Sequence, residues 1–269
     1  MEKFLKIFKR PQVIIGMIHL KALPGTPGYQ NNDDEIIENA LKEAQLYKDA
    51  GIDALAIENM HDVPYLKSNI GHEISSMMTV IGHEIKVLTE IPCGIQVLSS
   101  ANKAALAVAK SAKLDFIRAE GFVYGHLADE GYIDACAGDL LRYRKQINAE
   151  TILVFTDIKK KHSSHALTAD VSLLETAKTA EYFRSDGLII TGSSTGEAAN
   201  IDEINLVKAA CGIPVLVGSG VTYDNLEQYL MRADALIVGS YFKENGHWAN
   251  ALEYHRIVKF MEKVKRLRD

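Results

Sequence analysis

A single (β/α)8 TIM-type barrel is the α/β fold class that this sequence predicts, and three observations carry the expectation. Eight short apolar runs rich in β-branched residues recur along the chain, an amphipathic helical pattern follows most of them, and the length is 269 residues, close to the roughly 250 that eight β-α units occupy. The runs show little period-2 alternation, as expected of strands covered on both faces in a parallel sheet. A doubly wound open sheet would show fewer strands or a Gly-x-Gly-x-x-Gly after the first, and the sequence has neither.

Residues 1–12, MEKFLKIFKRPQ, read as a short N-terminal addition to the barrel. The segment is basic and partly amphipathic, without the long apolar stretch or small-residue cleavage site of a secretion signal. A short helix packed on the domain is expected, with membrane-surface contact or an organelle address as the alternative. The first strand is expected over 13–20 (VIIGMIHL), followed by a helix in which Ile36, Ile37, Ala40, Leu41, Ala44 and Tyr47 mark the 3.6-residue period. That helix closes at Asp49-Ala50-Gly51, with Gly just past the last periodic residue. Strands follow at 53–60 (DALAIENM), 92–98 (PCGIQVL), 115–121 (DFIRAEG) and 151–158 (TILVFTDI). Leu173, Leu174, Ala177 and Ala180 mark the next helix. Strands at 186–192 (DGLIITG), 214–220 (PVLVGSG) and 234–241 (DALIVGSY) complete the set. Cys211-Gly212 closes the helix between the first two of these, and Leu226, Tyr229 and Leu230 mark the one between the last two. Four strands open on an aspartate after a helix: Asp53, Asp115, Asp186 and Asp234. No Pro/Gly/Ser-rich linker divides the chain, so one domain over 1–269 is expected.

Composition excludes other classes. With 30 Lys+Arg against 35 Asp+Glu, a net charge of −5 and 47% hydrophobic residues, the chain is neither disordered nor suited to nucleic acid, which calls for a basic face. No stretch approaches the roughly 18 apolar residues of a membrane span. Cys93, Cys136 and Cys211 are odd in number and far apart, which points to a reducing compartment. The cytoplasm is expected, with a mitochondrial or other organellar location as the alternative. A homo-oligomer is also expected.

In this fold the active site forms at the C-terminal strand ends. Polar residues there are His19, Glu58, Asn59, Asp62, Gln96, Arg118, Glu120, Asp157, Lys159, Lys161, His162, Thr191, Ser219 and Thr222. The loops after strands one, four and five are long, as lids and binding loops are. Gly218-Ser219-Gly220-Val221-Thr222 after strand seven and Gly239-Ser240 after strand eight form the sharpest local pattern. Such turns expose backbone N–H groups to an anion, so a small phosphorylated ligand is expected there. Thr191-Gly192 and the Ser/Thr stretch that follows extend the same wall. Asn59, Asp62 and Arg118 are further candidate binding residues. The candidate catalytic residues are Glu58, Asp157, Lys161, His162 and His19: a carboxylate abstracts a proton, and an ammonium or imidazole stabilises the enolate or shuttles the proton. His19, Glu58, Asp157 and His162 are also of the types that ligate a divalent metal. No fixed-spacing signature accompanies them and Lys159, Lys160 and Lys161 place positive charge beside Asp157, so no cofactor is assigned and a divalent metal stays an alternative.

GMIHLKALPGTP (16–27), IENMHDVPY (57–65), LLRYRKQI (140–147), FTDIKKKHS (155–163), TGSSTG (191–196) and PVLVGSGVT (214–222) together resemble the BtpA/SgcQ family across nearly the whole chain. Met60-His61 and Ala119-Glu120-Gly121-Phe122 depart from its pattern. The resemblance implies a TIM-type barrel. It also implies two functional associations: photosystem I accumulation in cyanobacteria, and a place among phosphotransferase-type sugar genes in enterobacteria. From the residues, an enzyme of the sugar phosphate isomerase, epimerase or lyase type is expected. The alternatives are a non-catalytic biogenesis factor and a nucleoside or nucleotide hydrolase or glycosyl-transfer enzyme.

Overall fold

The computed structural model describes residues 1–192 and 196–269. Among them, eight parallel strands close into a barrel: β1 (Val13–His19), β2 (Ala54–Glu58), β3 (Cys93–Gln96), β4 (Phe116–Ala119), β7 (Leu153–Asp157), β9 (Gly187–Ile190), β10 (Val215–Val217) and β11 (Ala235–Val238). Each falls inside one of the eight apolar runs. Pairing runs β1-β11-β10-β9-β7-β4-β3-β2, and β1 closes the ring against β2. Around it pack α2 (Asp33–Asp49), α3 (His72–Thr89), α4 (Asn102–Ser111), α5 (Ala137–Gln146), α6 (Leu173–Tyr182), α7 (Ile201–Ala210), α8 (Leu226–Leu230) and α9 (Tyr254–Arg268).

The four strand-opening aspartates have a common task. Asp53 accepts the N–H of Ile14 at 2.7 Å, Asp115 that of Cys93 at 2.8 Å, Asp186 that of Val154 at 3.0 Å and Asp234 that of Val215 at 2.8 Å. Each carboxylate therefore satisfies an N–H in the first two residues of a neighbouring strand, at the barrel's lower rim where an unpaired N–H would be costly. Each also meets a cation from the last turns of a helix: Arg268 on Asp53, Lys86 on Asp115, Arg144 on Asp186 and Lys208 on Asp234. The arrangement recurs once per two β-α units and knits the rim together.

The barrel floor is aromatic. Phe116 and Phe155 point inward, opposite Gly94 and Gly187, where an added Cβ would lie 2.2 Å and 2.8 Å from their rings. The N-terminal helix α1 (Glu2–Phe8) inserts Phe4 and Phe8 from below. Phe8 sits with ring centroids 4.6 Å from Phe4 and 5.7 Å from Phe116. The apolar side of this basic segment is thus spent on the barrel. Phe8→Ala is expected to destabilise the protein by about 3 kcal/mol or more, lowering the melting temperature in calorimetry by roughly 6–12 °C. An unchanged melting temperature would mean that the helix does not seal the floor.

Two features were not visible in the sequence. The loops after β4 and β7 build a three-stranded antiparallel sheet of β5 (His126–Ala128), β6 (Gly131–Ile133) and β8 (Ser163–Ser164), in the order β6-β5-β8. Its strands are two or three residues long, too short to carry a periodic signal. The loops at 59–71 and 239–253, after β2 and β11, are also long, in addition to the three expected. No helix among the described residues is long and apolar enough to cross a membrane.

Candidate active site

Along each barrel strand the inward positions change character towards the C-terminal end. Met17 is followed two residues on by His19, Ala56 by Glu58, Gly94 by Gln96, Phe116 by Arg118 and Phe155 by Asp157. On the other side Leu216 is followed by Gly218 and Ile237 by Gly239. The apolar lower layers continue the packed core, whereas the top layer lines a cavity of about 660 Å³. Its wall is polar from β1 round to β7 and glycine-rich at β10 and β11. His19, Glu58 and Gln96 are register partners on three adjacent strands and stand side by side.

Of the expected site residues, His19, Glu58, Arg118, Asp157, Lys161, His162, Gly218, Ser219, Gly220, Thr222, Gly239 and Ser240 line this cavity. Asn59, Asp62, Thr191 and Gly192 do not. Asn59 accepts the Leu98 N–H at 2.7 Å and donates to Asp62 at 2.8 Å, and Asp62 accepts the Leu23 N–H at 2.8 Å. The two residues tie together the loops after β1, β2 and β3. Gly192 donates its N–H to the Ser219 hydroxyl at 2.8 Å, and a Cβ there would lie 2.4 Å from the Glu197 carbonyl oxygen. Its lack of a side chain serves loop packing. Ser193, Ser194 and Thr195 lie outside the described residues.

The ionisable groups of the cavity sort themselves by pairing. Arg118 grips Asp157 with two bonds of 2.8 Å, Nε to Oδ2 and Nη2 to Oδ1, with both side chains buried. Lys160 donates to Glu120 Oε1 at 3.1 Å, and Glu120 Oε2 accepts the Ser100 N–H at 2.8 Å. Burial alone would raise the Glu120 pKa, but Lys160, the Ser100 N–H and Arg118 hold it below the ordinary carboxylate value. Lys159 turns away to the Thr168 carbonyl. Glu58 and Lys161 remain, and neither forms a carboxylate–ammonium pair within 4.0 Å among the described residues. Burial pushes the Glu58 carboxyl up, against the opposing pull of Arg118 and Lys161. Burial and then the Arg118 charge push the Lys161 ammonium down. Both shifts move a group towards neutral pH, where proton transfer is most efficient.

His19 is the neighbour of Glu58. Burial and then the Lys243 charge push its pKa down to about 3, so it is neutral. Its Nδ1 lies 3.1 Å from the Trp248 carbonyl, which can only accept, so the proton sits on Nδ1 and the Nε2 lone pair faces Glu58 Oε2 at 3.7 Å. Burial followed by the Lys161 charge lowers the pKa of His162. Among the described residues no group of three His, Cys, Asp or Glu side chains is placed to hold a metal ion. Both Asp157 oxygens accept from Arg118.

The glycine wall presents backbone to the cavity. The Ser219 hydroxyl is committed within the loops, whereas the Thr222 hydroxyl keeps its proton to donate. Ser219 Oγ donates to the Glu197 carbonyl at 3.0 Å and Thr222 Oγ1 accepts the Asn225 N–H at 3.4 Å. The N–H groups of Ser219, Gly220, Val221, Gly239 and Ser240 have no acceptor among the described residues, and these residues line the cavity. Gly220 has φ +67°, and a Cβ there would lie 2.2 Å from the Glu197 carbonyl oxygen, so only glycine fits. Arg118 Nη2 would lie 3.5 Å from a Cβ at Gly218, which brings a guanidinium to this wall.

Trp248, Tyr65 and Lys160 also line the cavity and were not among the expected site residues. Trp248 comes from the loop after β11, where nothing periodic marks it. Lys160 is one of three successive lysines, and only the fold selects which of them face the cavity. Glu120, in a stretch that departs from the family pattern, is brought in by β4.

Comparison with known proteins follows the same lines. The fold resembles that of thiamine phosphate pyrophosphorylase from Pyrococcus furiosus, at 13% identity and a TM-score of 0.60 over 97% of this chain and 100% of that one. An uncharacterised mitochondrial protein of Caenorhabditis elegans is 48% identical over 261 residues, 95% of this chain and 94% of the relative. The photosystem I biogenesis protein BtpA of Synechocystis is 32% identical over 256 residues, 95% of this chain and 88% of its own. The BtpA family model matches residues 10–266. The chain belongs to the BtpA family.

Proposed function

We propose that the barrel mouth binds a small phosphorylated metabolite and moves a proton at a carbon of that ligand, as sugar phosphate isomerases, epimerases and lyases do. The observation that carries the reading is the pairing pattern. Once Arg118–Asp157 and Lys160–Glu120 are set aside, Glu58 is the buried carboxyl and Lys161 the ammonium left facing the cavity among the described residues, with the less buried Asp129, Glu130 and Asp224 at its margin. Glu58 is the acid/base that takes the proton from carbon. Lys161 stabilises the negative charge that develops on the adjacent oxygen, worth most in a water-poor site. His19 stands beside the Glu58 carboxyl as a neutral wall of the site, His162 serves as a proton shuttle, and Asp157 positions Arg118 rather than reacting. The phosphate is held by the backbone N–H groups after β10 and β11, with Arg118 beside them. The fold likeness to an enzyme named for a phosphate compound supports this anchor.

The Synechocystis relative's name favours a second reading, a biogenesis factor. A protein acting only through its surface gains nothing from buried ionisable groups gathered at a strand-end cavity, and these carry a desolvation cost. Trp248 at the mouth favours a third reading, a nucleoside or nucleotide ligand stacked on its ring.

Thermal-shift titration with inorganic phosphate and phosphate esters tests the anchor, because a ligand of the native state raises the melting temperature. Gly220 is a poor test position, since any side chain there disturbs the loop. Gly239 has φ −121°, and a Cβ there is tight only against His19 and Met17, at 3.2 Å and 3.3 Å. Gly239→Asp is expected to weaken phosphate binding about tenfold or more through like-charge repulsion. Wild-type affinity in a folded Gly239→Asp protein would place the anchor elsewhere.

A further inference from the structure

The residue next to Glu58 in the ring is Gln96, and it is an anomaly. Its side chain is 2% exposed, yet Oε1 has no hydrogen-bond partner, and no described residue bonds to its amide nitrogen. Ser99, 1% exposed, likewise has an unpartnered hydroxyl. Both residues line the cavity. Buried polar groups in folded proteins are nearly always paired, and one left open costs free energy unless something else fills it.

Both groups are held in place by bonds that leave their polar atoms unused. The Ser99 N–H donates to the Leu66 carbonyl at 3.2 Å and its carbonyl accepts the Ser68 N–H at 2.8 Å. On either side, the Leu98 N–H is held by Asn59 and the Ser100 N–H by Glu120. The Ser99 backbone is thus anchored while its hydroxyl stays open. Gln96 is fixed by β3, whose register sets it directly beside Glu58, one strand spacing or about 4.8 Å away.

We propose that Gln96 and Ser99 form a hydroxyl-reading subsite that selects a polyhydroxylated phosphate ester over a plain one. The inference rests on the phosphate anchor and the Glu58 role given above and names the substrate class. The Gln96 carboxamide offers one acceptor and two donors, the complement of a carbon-bound hydroxyl and its neighbour. Ser99 offers one further donor and acceptor. A hydroxyl on Gln96 lies next to the carbon that faces Glu58, so the subsite orients the reacting carbon as well as selecting the ligand. A site built to bond a hydroxyl discriminates against an analogue that lacks it, because its own buried groups are then left unpaired.

The test compares inorganic phosphate, propyl phosphate and 2-deoxyribose 5-phosphate with ribose 5-phosphate, ribulose 5-phosphate, fructose 6-phosphate and sorbitol 6-phosphate. Affinities are measured by thermal shift and calorimetry on the wild type, Gln96→Leu and Ser99→Ala. At least one polyhydroxylated ester is expected to bind tenfold or more tighter than propyl phosphate. Gln96→Leu and Ser99→Ala should each remove most of that advantage while leaving the affinity for inorganic phosphate within about twofold. Inorganic phosphate binding reports an intact fold and anchor, and Ser99→Ala carries the test alone if Gln96→Leu does not fold. Phosphate binding without any hydroxyl advantage, or an advantage that survives in the folded variants, overturns this inference and spares the anchor. No binding of phosphate or of any ester overturns the anchor and this inference with it.

Discussion

Glu58→Gln is expected to lower turnover by about 10²- to 10⁴-fold, the usual cost of losing a general acid/base. The same change is expected to make the protein more stable at neutral and alkaline pH. Burial raises the folded-state pKa of Glu58 above its unfolded value. Folding then takes up protons at this site, and the stability so gained is present below the unfolded pKa and lost as pH rises through the folded one. Above the folded pKa the ionised carboxylate burdens the native state, and glutamine relieves that burden with almost no change of shape. Melting temperatures of wild type and variant should therefore diverge as pH rises, the variant melting higher, and converge in acid. Turnover should show an acidic limb above the ordinary carboxylate range and an alkaline limb below the ordinary lysine range, since the Lys161 ammonium is pushed down. A Glu58→Gln protein with near-normal turnover removes Glu58 from the chemistry. One that melts lower at high pH shows that the carboxylate is a structural partner instead.

Arg118→Leu is expected to have the largest effect on stability. Asp157 accepts both bonds from one guanidinium, and its side chain is 1% exposed. Removing the cation leaves a buried charge uncompensated, at a cost of about 3–5 kcal/mol. That corresponds to a fall of roughly 6–20 °C in melting temperature. The double variant Arg118→Leu/Asp157→Leu removes both charges and should recover most of the loss, because replacing a whole buried pair with apolar groups is often close to neutral. Calorimetry on both variants reads this directly. Equal melting temperatures for the single and double variants would show that the pair contributes no coupling. The comparison also separates Asp157 from Glu58: the first is paired with Arg118, the second faces the cavity without an ammonium or guanidinium within 4.0 Å among the described residues.

Much of the site was legible in the sequence because the barrel converts strand ends into a ring. Once eight strands are placed, His19, Glu58, Arg118 and Asp157 must stand at one mouth, and the glycines after β10 and β11 must face them. What the strand ends did not reveal was the direction of each side chain. Glu58 and Asn59 are adjacent in the chain, but the pleat sends them to opposite sides of the barrel wall. One enters the cavity, and the other clamps Leu98. Asp157 and Glu58 read alike as carboxylates at strand ends. Only the bidentate grip of Arg118 shows that one is already neutralised. Gln96, an uncharged residue among charged ones, gained its interest only when its amide proved to be buried without a partner.

The aspartates at the lower rim mark the division between sequence and tertiary structure most clearly. Asp53, Asp115, Asp186 and Asp234 were visible as the residues that open strands, because local chain patterns announce where helices stop and strands begin. Strand positions, barrel closure and the end of the barrel where polar side chains gather all followed from hydrophobic periodicity and spacing, which act along the chain. That each aspartate holds an N–H at the start of a neighbouring strand, and takes its cation from a helix up to 215 residues away, was decided only in three dimensions. Pairing of charges, exposure of N–H groups and desolvation of carboxyls depend on distances between segments remote in sequence. A one-dimensional pattern does not carry those distances, and they separate the paired charges from the unpaired ones.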